Sequence, residues 1–197
     1  MNPLRAITLI TVIAVAALSS SACVSQEGNK AETSATTAKA AEKSGVRELF
    51  TVFHKDGRFY AFGDRKIYNN FLNHMEPAYI LTRIGAGPQR QTLTFGMTKA
   101  DTKMKVDEVD YINLYTGKAQ PADSFYGEVV RDGRFYVFDD WHDMQEYIKT
   151  GEAPYIFTYI GKGPEGATVT VVRNKKTKGD KAKVDALMER FREVHGI

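Results

Sequence analysis

The sequence DGRFYAFGD (residues 56–64) returns almost unchanged as DGRFYVFDD (residues 132–140), at an offset of 76 positions. Ten further identities follow at the same offset, and most of them belong to a shared motif, Tyr-Ile-x-Thr-x-Ile-Gly-x-Gly-Pro. Self-similarity at a fixed period is typical of a repeat architecture. The sequence therefore predicts a tandem duplication, with one copy over residues 47–123 and the other over residues 124–197.

Each copy begins with a predicted β-hairpin that is followed by a helix. The Asp-Gly pair is a strong turn signal between strands, so we place the first strand at Leu49 to His54 in copy one and at Glu128 to Val130 in copy two. Asp64 and Asp140 stand where the N-caps of amphipathic helices are expected. The apolar residues that follow have helical spacing and should face the core: Tyr68, Phe71, Leu72 and Met75 in copy one, and Trp141, Met144, Tyr147 and Ile148 in copy two.

A second hairpin and a closing helix complete each copy. The shared motif predicts a strand that ends in a Gly-x-Gly-Pro loop, and an alternating strand follows. Such a loop either presents backbone N–H groups to an anion or simply joins two strands, and its position between strands favours the connection. Each copy is then a ββαββα unit, and the predicted class is α+β, with antiparallel sheets and helices on one face. Equivalent core positions are expected for Phe62 and Phe138, and for Ile84 and Ile160.

Composition and charge exclude several functional classes. Of the 197 residues, 43% are hydrophobic and 26% are charged, which is typical of a globular protein. A single Cys cannot form a disulfide framework or a multi-cysteine zinc site, and the chain has neither a dinucleotide-binding fingerprint nor a phosphate-binding loop. A formal net charge of +3 gives no indication of nucleic-acid binding. Since about 75 residues make a marginal core, the two copies should pack side by side or through one continuous sheet, with a groove between them.

The amino terminus has the pattern of an export signal. Arg5 precedes the 13-residue apolar run from Ala6 to Leu18, which is too short to span a membrane, and small residues lead up to Cys23. This segment resembles a bacterial lipoprotein precursor, although Ser20 occupies the position three before the cysteine where that class usually has Leu. The resemblance implies a signal peptide over residues 1–22 and lipid attachment at Cys23. Ordinary secretory cleavage after Ala22 is the alternative.

The expected localisation follows from the same resemblance. Residues 23–46 have no aromatic side chain, and we interpret them as a flexible tether that reaches about 25 to 30 Å from the membrane. Val24 follows the cysteine, and in Gram-negative lipoproteins the absence of Asp at this position implies transfer to the outer membrane. The expected location is therefore the envelope, with the chain lipid-anchored and facing the periplasm.

Metal ligation is a weak candidate activity. His74 and His142 lie near Met75 and Met144, and such soft-donor pairs could serve an exported copper site. The methionines also lie on the predicted apolar stripes, which favours core packing. The stretch from Asp132 to Met144 looks like the hairpin-helix unit of the copper-binding accessory lipoproteins of nitrous-oxide reductase and, more loosely, of YHS domains. Those families use cysteine in or near the unit, and neither copy contains one, so the resemblance supports topology rather than a ligand set.

Two surfaces are candidates for binding. Because alternate residues of a strand face opposite sides, one of Phe59 and Tyr60 and one of Phe135 and Tyr136 should face outward, and these aromatics would form a binding face with Arg58 and Arg134. A lysine-rich segment could contact an envelope protein or an anionic surface, through Lys175, Lys176 and Lys178, or could simply be a solvated loop.

The sequence contains no catalytic motif and predicts no cofactor. We therefore expect a non-catalytic binding or adaptor lipoprotein. The alternatives are a periplasmic copper-handling accessory lipoprotein and an enzyme with a site in the groove between the copies.

Overall fold

The computed structural model describes residues 45–197, and the predicted signal peptide, Cys23 and almost all of the predicted tether lie outside them. The described chain is an α+β protein with one eight-stranded sheet and four α-helices, so the predicted class is confirmed. In chain order the elements are β1 (Glu48–Phe53), β2 (Arg58–Phe62), α1 (Arg65–His74), β3 (Ile80–Arg83), β4 (Thr92–Gly96), α2 (Asp110–Tyr115), β5 (Tyr126–Arg131), β6 (Arg134–Phe138), α3 (Trp141–Thr150), β7 (Tyr155–Tyr159), β8 (Thr168–Arg173) and α4 (Lys181–His195).

The sheet is mixed, and the prediction of antiparallel sheets is wrong. Its strand order is β3-β4-β2-β1-β5-β6-β8-β7. The four hairpin pairs are antiparallel, whereas β1 lies parallel to β5, β2 to β4, and β6 to β8. A turn signal fixes the pairing of consecutive strands only. The parallel pairs join strands that are separated by a helix or by half of the chain, and no local pattern specifies them.

The two halves of the chain share this sheet through its central pair. Phe50 lies opposite Glu128 and Thr51 lies opposite Val129 in the β1–β5 register, and the Thr51 hydroxyl donates a hydrogen bond of 3.2 Å to the carbonyl oxygen of Glu128. Of the two packing arrangements that the sequence left open, the structure has the continuous sheet. The halves therefore meet through paired strands rather than across the expected groove.

Helices cover both faces of the sheet, so the prediction that they pack on one face is also wrong. The core cluster that contains α2 and α3 lies on one face, and the cluster that contains α1 and α4 lies on the other. Phe62 packs towards α1 and Phe138 towards α3, and both are fully buried as predicted. Each face is therefore covered by one helix from the first half of the chain and one from the second half.

The predicted helix signals hold locally. The Asp64 carboxylate accepts a hydrogen bond from the backbone N–H of Ile67 at 2.9 Å, and Asp140 accepts one from Asp143 at 3.0 Å, so both predicted N-caps are confirmed. All four predicted core residues of α3 are buried. In α1 the prediction is wrong for Met75, because this residue ends the helix in a left-handed conformation and its side chain is 47% exposed.

The predicted core position of the two repeated isoleucines is wrong. Ile84 is 90% exposed and Ile160 is 82% exposed. Each follows an outermost strand of the sheet, β3 or β7, where a side chain extends beyond the helices that cover the central strands. The strand pattern therefore identified the hairpins correctly but could not show that they lie at the edges.

Candidate functional site

The two most exposed large apolar side chains of the described residues, Ile84 and Ile160, directly follow the edge strands β3 and β7. β3 pairs only with β4, and β7 pairs only with β8, among residues 45–197. Ile80 and Ile84 are exposed at the first edge, and Ile156 and Ile160 are exposed at the second. An unpaired strand edge with apolar side chains is a template for pairing with another chain. Both ends of the sheet therefore offer a surface of the same chemical kind.

These edges are also where the two halves of the chain resemble each other closely. Seven of the ten residues from Tyr79 to Pro88 are identical to those from Tyr155 to Pro164, including two isoleucines in each stretch. Packing explains identity at buried positions, but it does not explain why Ile84 and Ile160 are both retained in solvent. Contact with something outside the described residues would explain it.

The Gly-x-Gly-Pro loops are plain hairpin connections. The Gly87 N–H donates to the Gln91 carbonyl at 2.9 Å, and the Gly163 N–H donates to the Ala167 carbonyl at 2.9 Å. Each loop thus closes an antiparallel hairpin at an edge of the sheet. The N–H groups of Gly87 and Gly163 are thus already used in hairpin hydrogen bonds and cannot be presented to an anion.

A lysine-rich segment lies beside the β7 edge. It follows β8 and includes the exposed residues Lys175, Lys176 and Lys178. The Lys178 ammonium lies 4.7 Å from the centre of the Tyr155 ring, a cation–π geometry at the first residue of β7. In the first half, the Met97 N–H donates to the Tyr79 carbonyl at 2.9 Å, which holds the start of a second lysine-containing segment beside the start of β3.

The predicted aromatic binding face is wrong in the first copy. Phe59 is fully buried, Tyr60 is 5% exposed, and the Tyr60 ring packs 4.5 Å from Phe71 of α1. Strand β2 has helices over both of its faces, so neither aromatic faces solvent. In the second copy, Phe135 is buried. Tyr136 is partly buried, and the centre of its ring lies 4.5 Å from that of Tyr147 on α3.

The two arginines of that predicted face, Arg58 and Arg134, are exposed at the hairpin turns. Arg58 lies 3.6 Å from the Asp56 carboxylate, in a surface ion pair. Arg58 also interacts with the Tyr60 hydroxyl, and this contact raises the pKa of Arg58. Both arginines therefore remain on the surface, whereas the ring of Tyr60 is buried beneath α1.

The structure does not bring the candidate metal ligands together. His74 is exposed and its Nδ1 lies 3.1 Å from the Asn70 carbonyl oxygen of its own helix. His142 is exposed, whereas Met144 is fully buried in the core. Within residues 45–197, no group of three or more His, Cys, Asp or Glu side chains has a metal-holding arrangement.

Sequence reasoning missed a buried polar cluster around Glu128. The side chains of Glu128 and His195 are 0% and 3% exposed, and His195 Nε2 lies 3.0 Å from Glu128 Oε2. The Tyr68 hydroxyl donates to the same oxygen at 2.7 Å, and the Tyr126 hydroxyl donates to Oε1 at 2.5 Å. One glutamate inside an apolar strand, Tyr-Gly-Glu-Val-Val, was the only available signal.

The cluster links three elements of the fold and raises the pKa of its two tyrosines. Tyr68 belongs to α1, His195 to α4, and Glu128 to β5, so one carboxylate joins both helices of this face to the sheet. Burial, followed by the charge and hydrogen bond of Glu128, raises the pKa of Tyr68 and of Tyr126 well above the ordinary value. Both phenols therefore stay protonated and remain donors at physiological pH.

A second carboxylate repeats this linkage nearer the surface. Glu48 of β1 accepts from Arg65 of α1 at 2.6 Å and from Arg190 of α4 at 2.7 Å. Burial acts to raise the pKa of Glu48, but the hydrogen bonds and charges of the two arginines outweigh it and hold the pKa below its ordinary value. Arg190 also lines an open cleft of about 370 Å³ together with Tyr126, Asp139 and Lys183. All residues that line this cleft come from the second half of the chain, so it is not the groove expected between the copies.

Comparison with models of protein families, with curated proteins and with solved structures finds no match to this chain. None of the helices in residues 45–197 has both the length and the apolar character needed to cross a bilayer.

Proposed function

We propose that this chain is a non-catalytic binding or adaptor protein of the cell envelope, tethered by lipid on Cys23, that contacts a partner through its edge strands β3 and β7. The observation that carries the proposal is the pair of similar motifs at the two ends of the sheet, identical at seven of ten positions, with Ile84 and Ile160 exposed to solvent. Full burial of an isoleucine contributes about 1.5 to 3 kcal/mol, so a partner that covers either edge gains substantially.

A tandem duplication of a ββαββα unit accounts for the presence of two such edges. The element order recurs in the two halves, and the 17 identities at a fixed offset support an origin from one unit. The joined halves form one sheet whose outermost strands are equivalent, β3 in one half and β7 in the other. Two similar sites on one tethered chain would give bivalent attachment, in which the second contact forms at a high effective concentration.

The buried contacts support a binding role over a catalytic one. The Glu128 cluster contains the carboxylate, imidazole and phenol groups that an enzyme could use, but its side chains are enclosed in the core. Both carboxylate oxygens are already engaged by Tyr68, Tyr126 and His195. A substrate would have to displace packed side chains to reach them, so the cluster serves to hold α1 and α4 on the sheet.

Site-specific photo-crosslinking in cells tests the binding role. A photoreactive residue is placed at Ile84 or at Ile160, and at Lys66 as a control, because Lys66 is exposed on α1, a helix that contacts β1 and β2 of the sheet. We expect discrete protein adducts from the two isoleucine positions and none from Lys66. Adducts of equal yield from all three positions, or none from the isoleucines, would contradict the proposal.

Mass spectrometry of the protein isolated from membranes tests the tether. We expect the chain to begin at Cys23 and to carry the mass of attached acyl chains, and a Cys23→Ser variant to leave the membrane fraction. An amino terminus at Met1, or an unmodified thiol at Cys23, would disprove lipid anchoring but would leave the edge-strand contact standing.

A further inference from the structure

We propose that the β7 edge binds an extended segment of a partner protein whose side chains alternate between apolar and acidic residues, and that this segment pairs with β7 as a ninth strand. The inference rests on the proposed binding function and adds the chemistry of the partner. Its basis is the coincidence of an unpaired strand, an exposed apolar stripe and a basic segment at one place in the fold.

The main chain of β7 has one free side among the described residues. Its five residues pair with β8 from Tyr155 opposite Arg173 to Tyr159 opposite Val169. No strand from residues 45–197 occupies the other side. An extended peptide added as a strand would pair with the backbone N–H and C=O groups on that side.

The side chains of β7 differ between its two faces, so an added strand would meet a different surface on each face. Ile156 is 53% exposed on one face, and Ile160, which directly follows the strand, is 82% exposed. Phe157 and Tyr159 are partly buried on the other face, where they pack against the core cluster of α4. Side chains of neighbouring strands pair on the same face, so a partner strand with apolar residues on the isoleucine face would cover this stripe.

The charges near β7 indicate which residues the partner segment should have on its second face. Lys178 lies over the Tyr155 ring and is therefore on the face opposite the isoleucines. Lys162 follows β7 in the chain, Lys175 and Lys176 follow its neighbour β8, and all three are exposed. Together with Lys178, and against the carboxylates of Glu152 and Glu165, they give these six side chains a net charge of +2. Acidic side chains on the Lys178 face of the added strand would meet this charge and favour encounter.

The same charges disfavour a second copy of this chain as the occupant. The β3 edge has Arg83, Arg90, Lys99 and Lys103 close to it in the chain, against Glu76 and Asp101, again a net charge of +2. Pairing β7 with either edge of another copy would place like charges together, which is destabilising. The structure thus favours a different, acidic protein.

Fluorescence anisotropy with the full chain in detergent micelles tests the proposal. The probe is a fluorescein-labelled seven-residue peptide of alternating Val and Glu, and the controls are the same peptide with alternate amides N-methylated and a Val/Lys peptide. We expect saturable binding of the first probe and affinity at least about tenfold weaker for the N-methylated peptide, because it cannot make the main-chain hydrogen bonds. Equal binding of the N-methylated or of the Val/Lys peptide would overturn strand addition by an acidic segment.

Two matched charge reversals locate the site. We expect Lys178→Glu to weaken peptide binding about tenfold and Lys66→Glu, on the exposed side of α1, to leave it within about twofold. Equal effects of the two reversals would mean that net charge alone binds the peptide.

Two further measurements separate the other occupants. Vesicles that contain an anionic phospholipid could bind the chain while the peptide does not, with the binding lost in Lys178→Glu. That result would overturn the partner strand in favour of a membrane surface. Self-association that Ile160→Lys abolishes would replace it with a second copy. If photo-crosslinks form at Ile160 but the peptide does not bind, the binding function stands and the acidic-strand inference fails. If both are absent, both fail.

Discussion

The buried hydroxyl of Tyr68 offers the sharpest test of the packing described above. Replacing Tyr68 with Phe removes the 2.7 Å hydrogen bond to Glu128 Oε2 and retains the ring, which stacks on Phe50 at a centroid distance of 4.4 Å. The substitution thus removes the hydrogen-bond donor and leaves the apolar contacts of the ring in place. Glu128 keeps its contacts with Tyr126 and His195.

The expected cost follows from the charge of the acceptor. A hydrogen bond to a charged group contributes about 1.5 to 3 kcal/mol, whereas a bond between neutral groups contributes about 0.5 to 1.5 kcal/mol. Tyr111→Phe is the matched control, because the Tyr111 hydroxyl is also buried and donates at 3.0 Å to a neutral acceptor, the Gly96 carbonyl. We expect the free energy of unfolding to fall by about 1.5 to 3 kcal/mol for Tyr68→Phe, more than for the control.

Urea denaturation of residues 45–197 at pH 7 measures both changes, with the slope of unfolding free energy against urea compared to confirm that the denatured states are alike. A cost for Tyr68→Phe that is no larger than that for Tyr111→Phe would refute the reasoning. The Glu128 cluster would then contribute no more to holding α1 on the sheet than an ordinary neutral hydrogen bond does.

Three further outcomes are expected, the first two from urea denaturation and the third from thermal unfolding at a series of pH values. Phe138→Ala should cost about 3 to 5 kcal/mol because the ring is fully buried, while Ile160→Ala should change stability by less than about 0.5 kcal/mol, and similar values would contradict the burial described. Gly127→Ala should cost about 1 to 3 kcal/mol, because a Cβ there would come within 2.3 Å of a methionine sulfur, whereas Gly179→Ala has open space and should be near neutral. The pKa of Glu48 is lowered in the folded state, so its contribution to stability is present above the ordinary pKa of 4.5 and is lost as the pH falls through the folded-state pKa. The difference in Tm between the wild type and Glu48→Gln should therefore shrink in acid. A difference in Tm that stays constant with pH would argue against the arginine contacts.

The copper alternative has a weaker basis in the folded chain than in the sequence. His142 and Met144 are two residues apart, but on α3 one faces solvent and the other faces the core. A helix places residues two apart on different sides, and so the pair cannot share an ion without unwinding the helix. The predicted apolar stripe, rather than the donor types, was the better guide to Met144.

Features that depend on contacts between near neighbours were determined by the sequence alone. The Asp-Gly turns, the N-caps at Asp64 and Asp140 and the buried stripe of α3 each involve residues within about one or two turns of each other. Their geometry is fixed by local hydrogen bonds and by side-chain period, and both can be read from a short segment. The α+β class and the two hairpins of each half follow from the same local signals.

Only the tertiary structure decided which strands are neighbours, which face each helix covers and which side chains reach solvent. The parallel β1–β5 pair joins residues nearly 80 positions apart, and each face of the resulting sheet is covered by helices from both halves of the chain. That arrangement buries Tyr60, exposes Ile84 and Ile160, and brings His195 to Glu128 across 67 positions of chain. Apolar and polar patterns state that a residue can be buried or paired, but the identity of its partner depends on which long-range arrangement of the sheet has the lowest free energy.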